Sequence, residues 1–187
     1  WETFAGETGA DKEMLKTWEG LAQAAGMYYE WSGGSPFLGM NAFNDFAALS
    51  AAQLGEGIRW TQDGPEFNYS RDTARRVWDA YYVPRIKGWY ENRTYNQDGI
   101  KSGRLMAYIG SSAGAGFFPQ LVIEDEKQFH PISCQSYAYP VFQDGTPYMG
   151  QRGANMAVFA SDESHQQAAV RFLKWFTEPE QNIRFAV

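Results

Sequence analysis

Two serine hydroxyls flanked by glycines, in the stretch Gly110–Gly114 (GSSAG), form the most reactive pattern in this sequence. They follow the apolar run Leu105–Ile109, and an unbroken apolar run between turn residues is typical of a strand buried on both faces. The small residues after the run predict the start of a helix, whose first N–H groups lack partners within the helix. Open α/β sheets hold ligands at such a corner, so we expect a binding site formed by these N–H groups, Ser111 and Ser112.

The same residues also match the G-x-S-x-G pattern of a nucleophile elbow, which would make Ser112 the nucleophile of a serine hydrolase. Such an enzyme would need several strands before the elbow, and an acid and a histidine after it. The chain before the elbow is predicted to be mostly helical, and His130 and His165 fall at a predicted strand start and in a predicted first helical turn. Binding is therefore favoured over hydrolysis, and a third interpretation, that Ser112 only caps a helix, stays open.

The composition limits the classes of protein and of partner. The chain has 187 residues, enough for one compact domain or for one lobe with an additional piece. It contains 16 Lys and Arg against 22 Asp and Glu, for a net charge of -6, which argues against a nucleic-acid partner. The single cysteine, Cys134, excludes an internal disulfide and a cysteine metal cluster. No metal or nucleotide motif occurs, so we expect no metal site and no cofactor.

The two ends of the sequence indicate a piece of a longer protein. It begins at Trp1 without an initiator methionine and ends at Val187 within a predicted helix. No apolar run is long enough to span a membrane, and no secretion signal occurs in these residues. We expect any such signal to lie in a part of the protein outside this sequence.

Short strands that alternate with helices predict an α/β fold, with a small mixed sheet flanked by many helices. The predicted strands are Phe37–Met40, Leu105–Ile109, Ile132–Tyr139 and Gly153–Phe159, with a hairpin or loop tip at Asp63–Pro65. A helical lead-in at the start of the chain is predicted to break at Gly9, and three helices are then predicted to start at the caps Thr17, Asn41 and Ser70. A further helix is predicted to start at the serine turn and to end near Glu124–Glu126. The last two helices are predicted to start after Ser161–Asp162 and at the capping box Thr177–Glu180.

Aromatic residues make up 17% of the chain, more than core packing requires. Those at helical spacing are predicted to pack in the core, namely Trp18, Trp78, Phe172 and Trp175. Those beside turn residues could present an exposed ring to the apolar face of a sugar, namely Trp31, Trp60, Trp89 and Tyr148.

The order of several segments resembles the extracellular solute-binding proteins of ABC importers, in the cluster that takes up sugars and glycerol phosphates. The matching segments are TWEGL from Thr17, FNYSRDTARRVWDAYY from Phe67, IKSGRLMAYIGSSAG from Ile100, SYAYPVF from Ser136, GANMAVFAS from Gly153 and QQAAVRFLKWFTEPEQNIRFA from Gln166. The last segment is the most specific of them.

This resemblance implies a lobe with the fold of the type 2 periplasmic binding proteins, in a non-catalytic receptor. Residues 1–142 would be the second lobe, and residues 143–187 would be a hinge and a returning segment that packs with the first lobe. The receptor would capture a carbohydrate or related polyol between two lobes, or alternatively a glycerol phosphate or glycerophosphodiester. It would work with the membrane permease subunits of the importer, in the periplasm or lipid-anchored at the outer face of a bacterial membrane.

The resemblance also implies which residues contact the solute. Ser111 and Ser112 match a serine pair found in glycerol-phosphate binders, and this sequence lacks the tryptophan that sugar binders often have nearby. The other implied contacts are Asn41 and Asn44 with Phe37 or Phe43 close by, and Gly153, Ala154 and Asn155 at the hinge strand. Trp60, which lies beside turn residues, is predicted to stack its ring on the solute.

Overall fold

The computed structural model describes residues 1–40, 42–92, 95–125, 128–150, 153 and 155–185. The chain forms two compact units, Trp1–Gly150 and Gln151–Val187. The strands are β1 (Leu38–Gly39), β2 (Gly57–Thr61), β3 (Gly64–Asn68), β4 (Tyr90–Glu91), β5 (Ala107–Tyr108), β6 (Leu121–Asp125) and β7 (Gln128–Pro131). The α-helices are α1 (Glu2–Thr8), α2 (Trp18–Trp31), α3 (Phe43–Gln53), α4 (Arg71–Ile86), α5 (Asn96–Lys101), α6 (Glu163–Phe176) and α7 (Pro179–Phe185), and Lys12–Lys16 and Ser112–Phe117 are 3₁₀ helices.

Local capping signals set the starts of the long helices in the first unit. The Thr17 side chain accepts a hydrogen bond from Gly20 N at 3.1 Å and begins α2, and Ser70 Oγ accepts one from Thr73 N at 3.1 Å and begins α4. Gly9 ends α1 with φ 75, a left-handed conformation that favours glycine. The predicted starts at Thr17 and Ser70 and the predicted break at Gly9 are confirmed.

A three-stranded parallel sheet, in the order β4-β1-β5, lies at the centre of the first unit. The strand predicted over Leu105–Ile109 is only Ala107–Tyr108, and both of these residues are half-buried. The run is shortened because Leu105 N bonds to Gly99 O at 3.0 Å and so helps to end α5 before the strand can begin. The prediction of a strand buried on both faces is therefore wrong in length and in burial.

Two further predictions around the serine turn are also wrong. The α-helix expected there is a short 3₁₀ helix, because Pro119 disfavours helical backbone at Phe118, which has φ -64 and ψ 130. The chain then forms the antiparallel hairpin β6-β7 in place of the rest of that helix. Among the described residues, no strand forms over Ile132–Tyr139, where one was expected. The predicted hairpin around Asp63 is confirmed, since β2 pairs with β3 in antiparallel register.

The core of the first unit is mainly aromatic. Trp18 is fully buried, as predicted, and its ring meets Phe46 edge-on at 4.7 Å between centroids. Trp78 was expected in the core but is 48% exposed, because α4 turns Val77 and Tyr81 inward instead. The other large side chains that are almost completely buried include Phe4, Phe37 and Pro84.

Two residues, Gln53 in α3 and Thr17 before α2, bind the segment near the end of the first unit. Gln53 is 1% exposed; its Nε2 donates to Pro140 O at 2.8 Å and its Oε1 accepts from Phe142 N at 3.3 Å. Thr17 and Val141 form a parallel β-bridge. The segment around Val141 is therefore fixed both to α3 and to the start of α2.

The second unit contains α6 and α7. Asp162 begins α6 by accepting a hydrogen bond from His165 N at 3.1 Å, so the helix predicted after Ser161–Asp162 is confirmed. Phe172 and Trp175 were predicted to be core residues but are 52% and 46% exposed. Among the described residues of Gly153–Phe159, no strand forms, which contradicts the prediction there. No helix within the described ranges is long and apolar enough to cross a membrane.

Candidate functional site

The carboxyl ends of the three parallel strands bring two of the predicted site segments to one edge of the sheet. The chain leaves β1 towards Asn44 at the start of α3, and it leaves β5 into the turn that contains Ser111 and Ser112. Ile109 N donates to Gly39 O at 3.0 Å, which holds the two strand ends side by side. The carboxyl edge of a parallel sheet is where α/β proteins of this kind bind ligands.

The serine turn also differs from its prediction in the residue that caps its helix. Ser111 Oγ accepts a hydrogen bond from Ala113 N at 3.3 Å, so Ser111 rather than Ser112 caps the 3₁₀ helix. One of the N–H groups that were expected to meet a ligand therefore has a partner already. Both serines are exposed, and their hydroxyl groups can reach a solute at this edge.

The ring of Tyr108 packs against the backbone of this turn. It stacks on Phe118 with 5.8 Å between centroids and 9° between planes. A Cβ on Gly110 would lie 2.9 Å from Tyr108 Cε2, so only glycine lets the chain pass over the ring so closely. Burial raises the pKa of the Tyr108 phenol, and Cys134 adds to the effect. Sequence reasoning missed Tyr108, although the glycines at 110 and 114 indicated a close approach.

At the end of β1, two of the residues predicted to surround the solute are exposed and another is buried. Asn44 is exposed in the first turn of α3, and Phe43 is 45% exposed. Phe37 is 1% exposed and packs against Tyr28, so it is a core residue and cannot contact a solute. The N-cap of α3 is Ala42, without a side-chain hydrogen bond, and Asn41 lies outside the described residues.

Asn96, the first residue of α5, fixes the end of β1. It is 8% exposed, and its Nδ2 donates to Met40 O at 3.4 Å. A Cβ on Gly39 would lie 2.7 Å from Asn96 Cγ, so the carboxamide rests directly on the strand backbone. Asn96 Oδ1 is buried and has no hydrogen-bond partner among the residues that the structure describes. No sequence signal connected Asn96 with Gly39, because the contact depends on the folded sheet.

The remaining predicted contacts lie elsewhere in the described chain. Trp60 is on β2, opposite Pro65 of β3, and is 78% exposed. It is therefore part of the hairpin and not of the parallel sheet. Gly153 and Asn155 are exposed residues of the second unit. Ala154 lies outside the described residues.

An aromatic groove of about 400 Å³ lies between the first 3₁₀ helix and the extended segment before Val141. Tyr148, predicted to offer an exposed ring, forms part of its wall and is 54% exposed. Burial raises the pKa of Tyr139 to about 12, with a smaller contribution from the Asp45 carboxylate. The groove is lined by Leu15, Lys16, Tyr137, Ala138, Tyr139, Val141, Pro147, Tyr148 and Met149.

The side chains at the serine turn, at the end of β1 and in the aromatic groove are suited to hydrogen bonding and ring stacking. His130 lies in β7, and His165 is on α6 in contact with Asp162, so the predicted helical position of His165 is confirmed. Within the described ranges, no group of three or more His, Cys, Asp or Glu residues could hold a metal ion. The site offers hydroxyls, carboxamides and aromatic faces.

Comparison with known proteins shows which family the chain belongs to. The sequence profile of the bacterial extracellular solute-binding proteins matches residues 4–187. No curated protein matches the chain. A solved structure, the cyclic alpha-maltosyl-1,6-maltose binding protein from Arthrobacter globiformis, has a similar fold, with a TM-score of 0.61 and 17% identity. The match covers 96% of this chain and 45% of that protein, so the chain spans less than half of its length.

The predicted α/β fold, with a small sheet flanked by helices, is confirmed by this match to part of a solute-binding protein. The family is non-enzymatic, so the hydrolase interpretation of Ser112 is wrong. The family name also describes its members as extracellular proteins that bind solutes. The profile spans nearly all of the sequence, and the chain therefore belongs to the bacterial extracellular solute-binding protein family.

Proposed function

We propose that this chain is a lobe and a returning segment of the substrate-binding component of an ABC importer, which captures a carbohydrate or related polyol between two lobes. Residues 1–142 form the second lobe, and residues 143–187 form the hinge and the segment that packs with the first lobe. The family match, and the fact that the chain covers only 45% of a structural relative more than twice as long, support such a piece. The solute passes from this receptor to the membrane permease subunits, outside the cytoplasm.

The gathering of uncharged hydrogen-bonding groups at the carboxyl edge of the parallel sheet is the observation that carries this proposal. The residues from Leu105 to Phe118 include no charged side chain, and Ser111 and Ser112 stand exposed among them. Arg104, just before the strand, is bound to Glu91 at 2.7 Å. A phosphate group needs a cation or several free N–H donors, whereas sugar hydroxyls pair with neutral hydroxyls and amides. This edge therefore favours a neutral solute over a glycerol phosphate.

Each proposed contact has a distinct role. Ser111 and Ser112 exchange hydrogen bonds with solute hydroxyls at the end of β5, and Asn44 does so at the end of β1. Asn41, Gly153 and Asn155 add polar and backbone contacts, and Trp60 stacks on a sugar ring. Closure of two lobes around the solute then produces the form that the permease recognises.

The proposal is tested by a thermal-shift screen of the complete gene product against glucose, maltose, trehalose, sorbitol and sn-glycerol 3-phosphate. A ligand at about 100 times its Kd stabilises the folded state by about 2.7 kcal/mol, so binding raises the melting temperature measurably. We expect a rise with at least one neutral sugar or polyol. The absence of a rise with every compound would contradict the proposed function.

The variant Ser112→Ala provides a control for the position of the solute. Ser112 follows the cap residue, so its loss should leave the unliganded melting temperature nearly unchanged. The variant should bind the best neutral sugar less tightly, because a hydrogen bond to the solute is lost. Unchanged affinity would exclude Ser112 from the contacts.

A further inference from the structure

Two polar side-chain tips face the same small space beside Gly114. A Cβ built on this glycine would lie 3.7 Å from Tyr108 Oη and 4.0 Å from Gln97 Nε2. Both side chains are half-buried, and in the part of the chain that the structure describes neither is hydrogen-bonded to another group. A phenol and a carboxamide that converge without a partner can both pair with an incoming polar group.

The Tyr108 ring is held by its surroundings, and the backbone of Gln97 is anchored by its neighbour Asn96. The ring of Tyr108 is fixed between Phe118, on which it stacks, and the backbone of Gly110. Gln97 follows Asn96, whose carboxamide is bound to Met40 O and packed on the central strand. Groups that are already in position lose little conformational entropy when a ligand arrives.

We propose that Gln97 and Tyr108 form, over Gly114, a subsite that hydrogen-bonds adjacent hydroxyl groups of a neutral sugar or polyol. This inference rests on the proposed function, because it specifies the solute at the same edge of the sheet. A phenol, a carboxamide and a solute hydroxyl can each donate and accept a hydrogen bond, so two neighbouring hydroxyls satisfy both protein groups. Gly114 has no side chain, which leaves the space for the solute open.

The charges around the subsite disfavour an anionic solute. A phosphate oxygen at neutral pH only accepts hydrogen bonds, and its charge requires compensation. The residues from Leu105 to Phe118 include no cation. A phosphate would therefore find no compensating cation within this turn.

Filling the space beside Gly114 tests the subsite. Gly114 does not have a positive φ, and a Cβ there makes only ordinary contacts, so Gly114→Ala and Gly114→Val should fold normally. Gly116 lies in the same 3₁₀ helix with nothing within 4 Å of its Cβ position, so Gly116→Val is the matched control. The side-chain variants Gln97→Leu and Tyr108→Phe each remove one polar tip, and the second retains the ring that stacks on Phe118.

Binding of the complete gene product is measured by calorimetric titration with glucose, maltose, trehalose, sorbitol and sn-glycerol 3-phosphate. Each lost hydrogen bond should raise the Kd of the best neutral solute about 2- to 10-fold, and Gly114→Val, which blocks both, about 5- to 100-fold. Gly114→Ala should have a smaller effect, and Gly116→Val should change the Kd by less than about twofold. The melting temperatures of the unliganded variants should match the wild type.

The outcomes separate the subsite from the proposed function. If the wild type binds a neutral solute and Gly114→Val binds it as tightly as Gly116→Val does, the subsite is overturned and the function stands. If the wild type binds sn-glycerol 3-phosphate and no neutral compound, the preference for neutral hydroxyls is overturned. If the wild type binds none of the compounds, the proposed function fails and the subsite fails with it.

Discussion

Replacing Gln53 should weaken the first unit far more than an ordinary polar substitution on a helix. Its carboxamide pairs with Pro140 O at 2.8 Å and with Phe142 N at 3.3 Å, and the residue is 1% exposed. A buried polar group that loses its partner costs about 1–3 kcal/mol, so removal of both bonds should lower the free energy of unfolding by about 2–6 kcal/mol. That loss is a large fraction of the roughly 5–15 kcal/mol that stabilises a typical domain.

Urea denaturation of Gln53→Met and Gln53→Ala measures this loss. Methionine has nearly the same length as glutamine and fills the space, so Gln53→Met isolates the two hydrogen bonds, while Gln53→Ala adds the effect of a cavity. Hydrogen exchange at the amide of Phe142 should accelerate in both variants, because its acceptor is gone.

Ser50→Ala is the matched control for this experiment. Ser50 is fully buried on the same helix, and within the described part of the chain its Oγ has no hydrogen-bond partner. Its replacement by alanine should therefore leave stability unchanged or raise it by up to about 1 kcal/mol, since alanine also favours the helix. A loss below about 0.5 kcal/mol for Gln53→Met would refute the role assigned to these bonds.

Three more changes have defined outcomes. Ser70→Ala should lower the free energy of unfolding by about 1 kcal/mol in urea titrations because α4 loses its cap, and Ser70→Thr should retain most of it. Gly39→Ala should lower the free energy of unfolding by about 1–3 kcal/mol in the same assay, because its Cβ would lie 2.7 Å from Asn96 Cγ. In the control Gly6→Ala, the new Cβ meets none of the described atoms within 4 Å, so this change should be neutral or stabilising. Equal effects of the two substitutions would contradict this reasoning. Tyr139 has a folded-state pKa of about 12, above its ordinary 10, so its contribution to stability is complete below pH 10 and is lost as the pH rises towards 12; Tyr139→Phe should flatten the alkaline decline in melting temperature, and an identical decline in both proteins would refute it.

The helices could be predicted from the sequence because their signals are local. The side chains of Thr17 and Ser70 each accept a hydrogen bond from an N–H group three residues later, so the capping signal itself lies within four residues of sequence. Strands depend on distant partners, which local patterns do not contain. The apolar run from Leu105 was therefore read as a full strand, although its first residue closes α5 through Gly99.

In the candidate site too, some features follow from local sequence and others depend on contacts with distant residues. The turn at Ser111 follows from the small residues that form it, and its exposure and capping are local properties. Asn96 and Gln97 owe their positions to β1 and to Gly114, which the chain brings near only after folding. The family resemblance implies Phe37 as a solute contact, but its side chain is buried in the aromatic core, where it packs against Tyr28.

The pairing of Thr17 with Val141 has a consequence for the order in which the first unit folds. It closes a loop that takes in every sheet of that unit, and closure of so long a loop carries an entropic penalty before any nearby contact can compensate for it. We expect α2 and α4 to acquire helical structure early and this pairing to be completed last. Nascent chains that stop short of Val141 should then hold formed helices without the native aromatic cluster around Trp18.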